Sequence, residues 1–386
     1  MNCLDNKELE TYVKDLRRYF HMNPELSWKE LNTTNRIIKE LESFDIKYTK
    51  INDTTVIGEI GQGTKKIALR ADNDALPIVE AGEKEYISKN KGVMHACGHD
   101  GHTSMLLGAA KYLKTIEDTL DGKVYLCFQP AEEIGGGAKE VLEFLEENGG
   151  VDEVFGIHLW SLIPVGKICA SAGARMASGD SFNIHITGRG GHGSRPDQCV
   201  DPLKIGAKIL LEITSIPCNR ISTLDNAVVS VGAFNGGTAG NVIPNEAILK
   251  GGFRTFTKEA RVEIPKLLEK ISKNIAEYSG GDAKVEITVG VPCVYNHEAS
   301  AERAEEVIAN MFGKEAVYKF EPICASENFG LYTEKYPGLM AFVGAGNAEK
   351  GIIYPHHHPK FDIDEDSLLQ GTILYAEYAR KFLSEK

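Results

Sequence analysis

Apolar positions set the first elements of the chain. Leu9, Val13, Leu16 and Phe20 recur at helical spacing, as do Ile37, Ile38 and Leu41, so helices are predicted between Lys7 and Phe44. The polar stretch His21-Met22-Asn23-Pro24-Glu25-Leu26-Ser27 breaks them, and His21 is expected to be a packed or capping residue there. Thr55 to Ile60, Lys66 to Arg70, Lys123 to Phe128 and Glu153 to Leu159 are short apolar runs that predict strands. Between them fall helical patterns, one carrying Leu106, Leu107, Ala110 and Leu113 on one face, the other an amphipathic segment from Ala138 to Glu147.

The pattern changes near Ala177. Ser181 to Thr187 alternates as a strand, a helix follows from Asp201 to Ser215, and Ala227 to Phe234 and Glu246 to Phe253 are strands. Glu259 to Tyr278 is a helix and Lys284 to Val289 a strand. This order, β-α-β-β-α-β, predicts a two-helix, four-strand sandwich of the ferredoxin-like kind. From Ile323 to Phe342 the chain again suits an α/β core, and Asp366 to Ser384 closes it as a helix. The expectation is therefore an α/β protein of two domains. Residues 1–177 and 290–386 form one with a mainly parallel mixed sheet flanked by helices, and residues 178–289 are inserted into it.

Composition narrows the function. With 386 residues, 42% hydrophobic and 25% charged, the chain can bury a large core. A net charge of −12 argues against nucleic acid, which needs basic faces for phosphates. No stretch is apolar and long enough to span a bilayer. The first residues, Met1 to Glu8, lack the apolar run of a signal peptide. The eight cysteines show no Cys-x-x-Cys spacing. A cytoplasmic protein with reduced thiols is expected.

The chemistry lies in polar clusters at the ends of strands, where open α/β sheets present their functional groups. Met94-His95-Ala96-Cys97-Gly98-His99-Asp100-Gly101-His102-Thr103 crowds a thiol, three imidazoles and a carboxylate into one turn. Cys97 and His99 are spaced as two metal ligands, with Gly98 letting the backbone bend, and Asp100 is placed to orient a ligand imidazole. Asp72 and Asp74 follow a strand, either as site carboxylates or as an Asx-type turn before Pro77. Glu132 and Glu133 follow another, and adjacent carboxylates there are costly unless a cation or proton offsets them. Adjacent side chains diverge, so one can be a ligand and the other a general base. His158 ends a third strand, as a core residue or a ligand. In His356-His357-His358, neighbours point opposite ways, so one of the three is expected at the same site. This mixed set exceeds what one tetrahedral ion needs and predicts a dinuclear site. Glu132 can then shuttle a proton, and His192, on a glycine-rich turn, is a candidate partner for a developing oxyanion.

Taken together, the motifs resemble the metal-dependent aminoacylase/carboxypeptidase family, in its amidohydrolase branch of hippurate hydrolases, N-acyl-amino-acid deacylases, N-acetyldiaminopimelate deacetylases and auxin-conjugate hydrolases. They are Ala71 to Pro77, Met94 to Thr103, Gln129-Pro130-Ala131-Glu132-Glu133, Gly156-Ile157-His158, Gly190-Gly191-His192, Asn241-Val242-Ile243-Pro244 and His357-His358-Pro359-Lys360-Phe361. The resemblance runs over nearly the whole chain.

That resemblance implies a bridging Cys97, with His99, Glu133, His158 and His357 as the other ligands of two divalent ions (zinc, manganese, cobalt or nickel). It implies Glu132 as general base, Asp72 and Asp100 behind the ligands, and His192 reaching a partner's active site in dimeric relatives. Asn241 and Arg254 resemble positions near a substrate's free carboxylate. The inserted domain would act as a lid and dimerisation surface, making a homodimer. The expected reaction is hydrolysis of the amide of a small N-acylated amino acid. N-acetyldiaminopimelate or a dipeptide is the alternative substrate, and a non-catalytic metal-binding protein is the competing class. Three positions depart from the family: Asn73 where Met is usual, Gly252 where Thr is common, and Asn328 where Asp is usual.

Overall fold

The computed structural model describes residues 7–385; Met1–Asn6, most of the stretch that bears on a signal peptide, lie outside them. The chain divides into two compact units. Residues 1–175, 294–321 and 328–386 make the first, and residues 176–293 with 322–327 make the second.

The first unit is built on a seven-stranded sheet. Its order is Lys47–Lys50, Val56–Gln62, Gly122–Gln129, Lys66–Asp72, Glu153–Pro164, Gly338–Gly346 and Ile168–Cys169. The four inner strands from Gly122–Gln129 to Gly338–Gly346 run parallel, and the flanking strands pair antiparallel. The sheet is thus mixed, with its parallel part in the middle. Parallel strands need both faces covered, which is why their middles are mostly apolar; Gly338–Gly346 is buried along its whole length.

Helices Lys7–Met22, His99–Thr115 and Asp366–Ser384 share one core with this sheet. His99–Thr115 is buried on nearly every side rather than along the single face its leucines suggest. Its glycines allow this. A Cβ at Gly108 would lie 2.5 Å from Val13 and 2.9 Å from Thr372, so that position lets two helices approach the third closely. Among the described residues no helix is long and apolar enough to cross a membrane.

The second unit has a four-stranded antiparallel sheet in the order Ala227–Gly236, Glu246–Thr255, Gly179–Thr187, Asp282–Val291. Helices Pro202–Thr214 and Lys258–Tyr278 cover one face. Gly179–Thr187 alternates buried and exposed, with Phe182, Ile184 and Ile186 in the core. Asp201 caps the first helix by accepting the N–H of Leu203 and Lys204; Thr257 caps the second. The segment 322–327 also belongs to this unit, although its sequence suits the first. The backbone N–H of Ala177 donates to the carbonyls of Ile323 and Ala325 at 3.1 and 3.0 Å, which ties it there.

Candidate metal centre

The proposed ligands of the first unit lie on the parallel strands or on the segments that follow them: Glu133 just after Gly122–Gln129, His158 within Glu153–Pro164, Cys97 and His99 in the connection after Lys66–Asp72, and His357 in the one after Gly338–Gly346. The strand Lys66–Asp72 ends in Asp72, and Asp74 follows two residues on. Gly98 takes φ 92°, a left-handed conformation that costs glycine little, and there the chain turns into the helix His99–Thr115. Glu132 and Glu133 form a single 3-10 turn, entered through Ala131 at φ 58°. In Glu153–Pro164, pairing with the neighbouring strand Lys66–Asp72 stops at Gly156, opposite Arg70, and in that register His158 stands level with Asp72, the last residue of that strand.

These turns bring the side chains together. Ligand atoms of Cys97, His99 and His158 lie within 4.8 Å of one another, and so do those of Cys97, Glu133 and His357. Cys97 belongs to both triads. One thiolate shared by two sets of donors is the arrangement a dinuclear site requires. His99, Glu132 and Glu133 form a further close group.

Each imidazole is oriented by a specific partner. His99 Nδ1 faces the Asp74 carbonyl at 2.9 Å, which turns Nε2 toward Glu133 Oε1 at 3.9 Å. His158 Nδ1 faces the Leu159 carbonyl at 2.8 Å, and its Nε2 stands 3.7 Å from Cys97 Sγ. His99 Nε2 and Glu133 Oε1 are buried with no hydrogen-bond partner among the described residues. Such atoms are costly unless something satisfies them, and a cation between them does so. The residues therefore fit divalent metal, with the thiolate-imidazole-carboxylate mix that suits late first-row ions.

Electrostatics agree. Burial, reinforced by Glu133, pushes the Cys97 thiol up. Burial opposes a raised His99, yet Asp72 and Cys97 hold its imidazole well above the ordinary value. Metal binding must displace these protons, so affinity rises with pH.

The His356–His358 run is resolved by what its members touch. His357 takes φ 65°, its N–H donates to the Ala96 carbonyl at 2.8 Å, and its Nε2 lies 3.5 Å from Glu133 Oε2. His356 instead stacks on Trp160 at 4.2 Å and reaches the Leu159 carbonyl at 3.0 Å. His358 stacks on Tyr354 at 4.5 Å and accepts the Lys360 N–H.

The aspartates divide differently from the expectation. Asp100 does not hydrogen-bond a ligand imidazole. Its Oδ2 accepts from Arg17 Nε at 3.0 Å and from His21 Nδ1 at 2.7 Å. All three side chains are buried, and His21 spans to Glu80 on its other nitrogen. His21 is thus packed, but between two carboxylates. Asp72 meets His102 Nδ1 at 2.6 Å and Arg70 Nη1 at 2.8 Å. Burial alone would raise Asp72, but Arg70, His99 and His102 hold its carboxyl well below the usual range. His102, assigned no role from spacing, accepts the Leu159 N–H on Nε2 at 2.8 Å. Both its nitrogens are therefore committed, and it braces the strand that carries His158. The spacing His99-x-x-His102, one helical turn, was its available signal.

Asp74 was also left open by the sequence. Its Oδ1 accepts the Glu132 N–H and its Oδ2 the Glu133 N–H, each at 3.1 Å. Asn328, one of the departures from the family pattern, reaches the same turn. Its N–H donates to Glu132 Oε1 at 3.1 Å and its side-chain amide donates to the Gly136 carbonyl at 2.7 Å.

His192, Asn241 and Arg254 all lie in the second unit. His192 pairs with Val242 across a two-stranded ribbon, next to Asn241, and its Nδ1 lies 2.9 Å from Ser194 Oγ. Arg254 lies at the far end of Glu246–Thr255 from that ribbon. Eight residues of strand, roughly 27 Å, separate Arg254 from Glu246. Within one unit, Asn241 and Arg254 cannot meet the same carboxylate.

Residues 68–381 match peptidase family M20/M25/M40. The chain is 38% identical to thermostable carboxypeptidase 2 of Saccharolobus solfataricus, covering 98% of this chain and 97% of that protein. It is 38% identical to hippurate hydrolase of Campylobacter jejuni, covering 97% and 98%. Among solved structures, it is similar to the Bacillus subtilis YXEP protein, a dinuclear metal-binding peptidase of the M20 family. The two share a TM-score of 0.86 and 35% identity over 97% of this chain and 98% of the other.

Proposed function

The chain belongs to peptidase family M20/M25/M40, and from that premise we propose that it hydrolyses the amide of N-acylated amino acids at a dinuclear metal site. The observation that carries this is the acidic turn. Two adjacent carboxylates, Glu132 and Glu133, are held by one aspartate through both backbone N–H groups.

Cys97, His99, Glu133, His158 and His357 would hold two divalent ions, with Cys97 common to both. When bound, such ions supply Lewis acidity and lower the pKa of water. Glu132 accepts the proton of the attacking water and returns it to the leaving nitrogen. Asp74 and Asn328 keep that carboxylate in place, and Asp72 fixes His102 behind the ligands. His192 is assigned the developing oxyanion, with the second unit serving as lid and dimerisation domain. Mixing inactive His192→Ala and Glu132→Gln proteins tests that assignment, since activity returns only if subunits share sites.

The likeness to hippurate hydrolase supports an N-acyl amino acid as substrate. The likeness to a carboxypeptidase supports a peptide as the second reading. The deciding experiment is hydrolysis of hippurate, N-acetyl amino acids and dipeptides by metal-stripped protein and after restoring zinc, manganese, cobalt or nickel. Metal-dependent release of amino acid from the N-acyl compounds is expected. Faster turnover of dipeptides would replace the substrate assignment, and turnover without metal would overturn the mechanism.

A further inference from the structure

We propose that Glu30 is a positioning residue for the general base, holding the backbone turn that aims Glu132. Glu30 has no solvent exposure, and besides its own N–H and that of Trp28 its carboxyl grips a backbone group 101 residues away. Its Oε1 accepts the N–H of Ala131 at 2.9 Å.

Ala131 is the residue that needs gripping. It is left-handed at φ 58°, a conformation that costs a non-glycine residue about 1–2 kcal/mol and persists only where the surroundings over-determine it. It immediately precedes Glu132. Its carbonyl accepts the Gly136 N–H at 2.8 Å, which closes the turn from inside; Glu30 fixes it from outside. The segment around Glu30 follows the turn closely, since a Cβ at Gly136 would come within 2.9 Å of the Trp28 ring and 3.1 Å of Ala131 Cβ.

The carboxyl also meets the N–H groups of Glu30 and Trp28 in its own segment, so it ties that segment to the turn. Burial, with Asp74 as the charged neighbour, raises Glu30 to about 7 even against the lowering by its backbone hydrogen bonds. A side chain serving only to fill space would be better apolar. What Glu30 supplies that an apolar residue cannot is an acceptor for the Ala131 N–H.

Two variants separate the acceptor from the volume. Glu30→Gln keeps a carbonyl oxygen, and Glu30→Met keeps the bulk without one. On the best N-acyl substrate, Glu30→Gln should retain kcat within about threefold. Glu30→Met should lose about tenfold or more in kcat with KM little changed, as misplacement of a reacting group does. Adding Ala131→Gly to Glu30→Met should restore part of the loss, because glycine adopts the left-handed turn unaided. Equal kcat in wild type and Glu30→Met, or equal losses in both single variants, would overturn the inference. If Glu30→Met does not fold, Glu30→Gln decides alone, and a tenfold loss there overturns it.

The inference depends on Glu132 being the base, and one measurement keeps the two apart. Amide hydrogen exchange of the peptide spanning residues 129–137 should be faster in Glu30→Met and unchanged in Glu30→Gln, whatever the substrate. Faster exchange with an active Glu132→Gln protein would remove the base assignment and leave the grip of Glu30 on the turn standing. Unchanged exchange in Glu30→Met would remove the grip itself.

Discussion

Asp74 Oδ2 accepts the backbone N–H of Glu133 at 3.1 Å, across a separation of 59 residues. Its other oxygen does the same for Glu132, and Ser27 Oγ donates to Oδ2 at 2.7 Å. One carboxylate thus orients a proposed ligand and a proposed base together. Asp74→Ala should lower metal affinity by about 10–100-fold and kcat by at least a similar factor. Asp74→Asn, which keeps one acceptor oxygen, should fall between. Metal titration by calorimetry alongside steady-state kinetics measures both. Wild-type affinity in Asp74→Ala would show that the turn holds without it.

Glu132→Gln should retain both ions and lose about 10²–10⁴ in kcat, the contribution typical of a positioned proton carrier. Elemental analysis of the purified variant checks the first part and hydrolysis rates the second. Substantial turnover would reassign the base.

The three adjacent histidines should behave unlike one another. His357→Ala should lose metal. His356→Ala should keep metal and lose stability, because it removes a ring stacked on Trp160. Burial depresses His356 to about 3, so it serves as a neutral ring at working pH. His358→Ala should change little, since its contacts are to Tyr354 and its own loop. Metal content and thermal melting of the three variants give the comparison, and equal metal loss in all three would contradict it.

Asp100→Asn should unfold the protein more readily without stripping it of metal. The Arg17–Asp100 pair is fully buried, and Arg17 also meets Asp362 at 2.7 Å. Removing one partner of a buried pair costs about 3–5 kcal/mol. Had Asp100 oriented a ligand imidazole, affinity for metal would fall about 10–100-fold instead. Urea denaturation and metal titration distinguish these results.

Glu30 predicts a pH dependence of stability. Its folded-state pKa is raised from 4.5 to about 7. The stability it contributes is therefore fully present below pH 4.5 and is lost as pH rises through 7. The loss amounts to about 3 kcal/mol. Glu30→Gln cannot ionise, so its stability relative to wild type should improve between pH 4.5 and pH 8. Denaturation midpoints across that range test the sign, and a relative decline would show that Glu30 is ionised when folded.

Much of the site was legible because it is local. Cys97, Gly98 and His99 form one turn, and Glu132 and Glu133 one acidic pair, so spacing alone announced both. The periods of the apolar residues placed the strands that carry them, and the helices Ala138–Glu147 and Asp366–Ser384 fall at the predicted limits. The burial of His99–Thr115 on all sides was not legible, since it depends on which other helices pack against it.

The sequence by itself determined which residue types stand at the strand ends and in what order, because those depend on short-range pattern. Only the tertiary structure decided how they are used. It set His357 beside Glu133 and His356 on Trp160, contacts that agree with the histidine the family motif implies, and it gave Asp100 to Arg17 and His21. It placed Asp74 and Glu30 under a turn 58 and 101 residues away. Each of these is a contact between segments remote in the chain, and it forms only when packing fixes their register. Before that register exists, nothing in the local period distinguishes one histidine or one aspartate from the next.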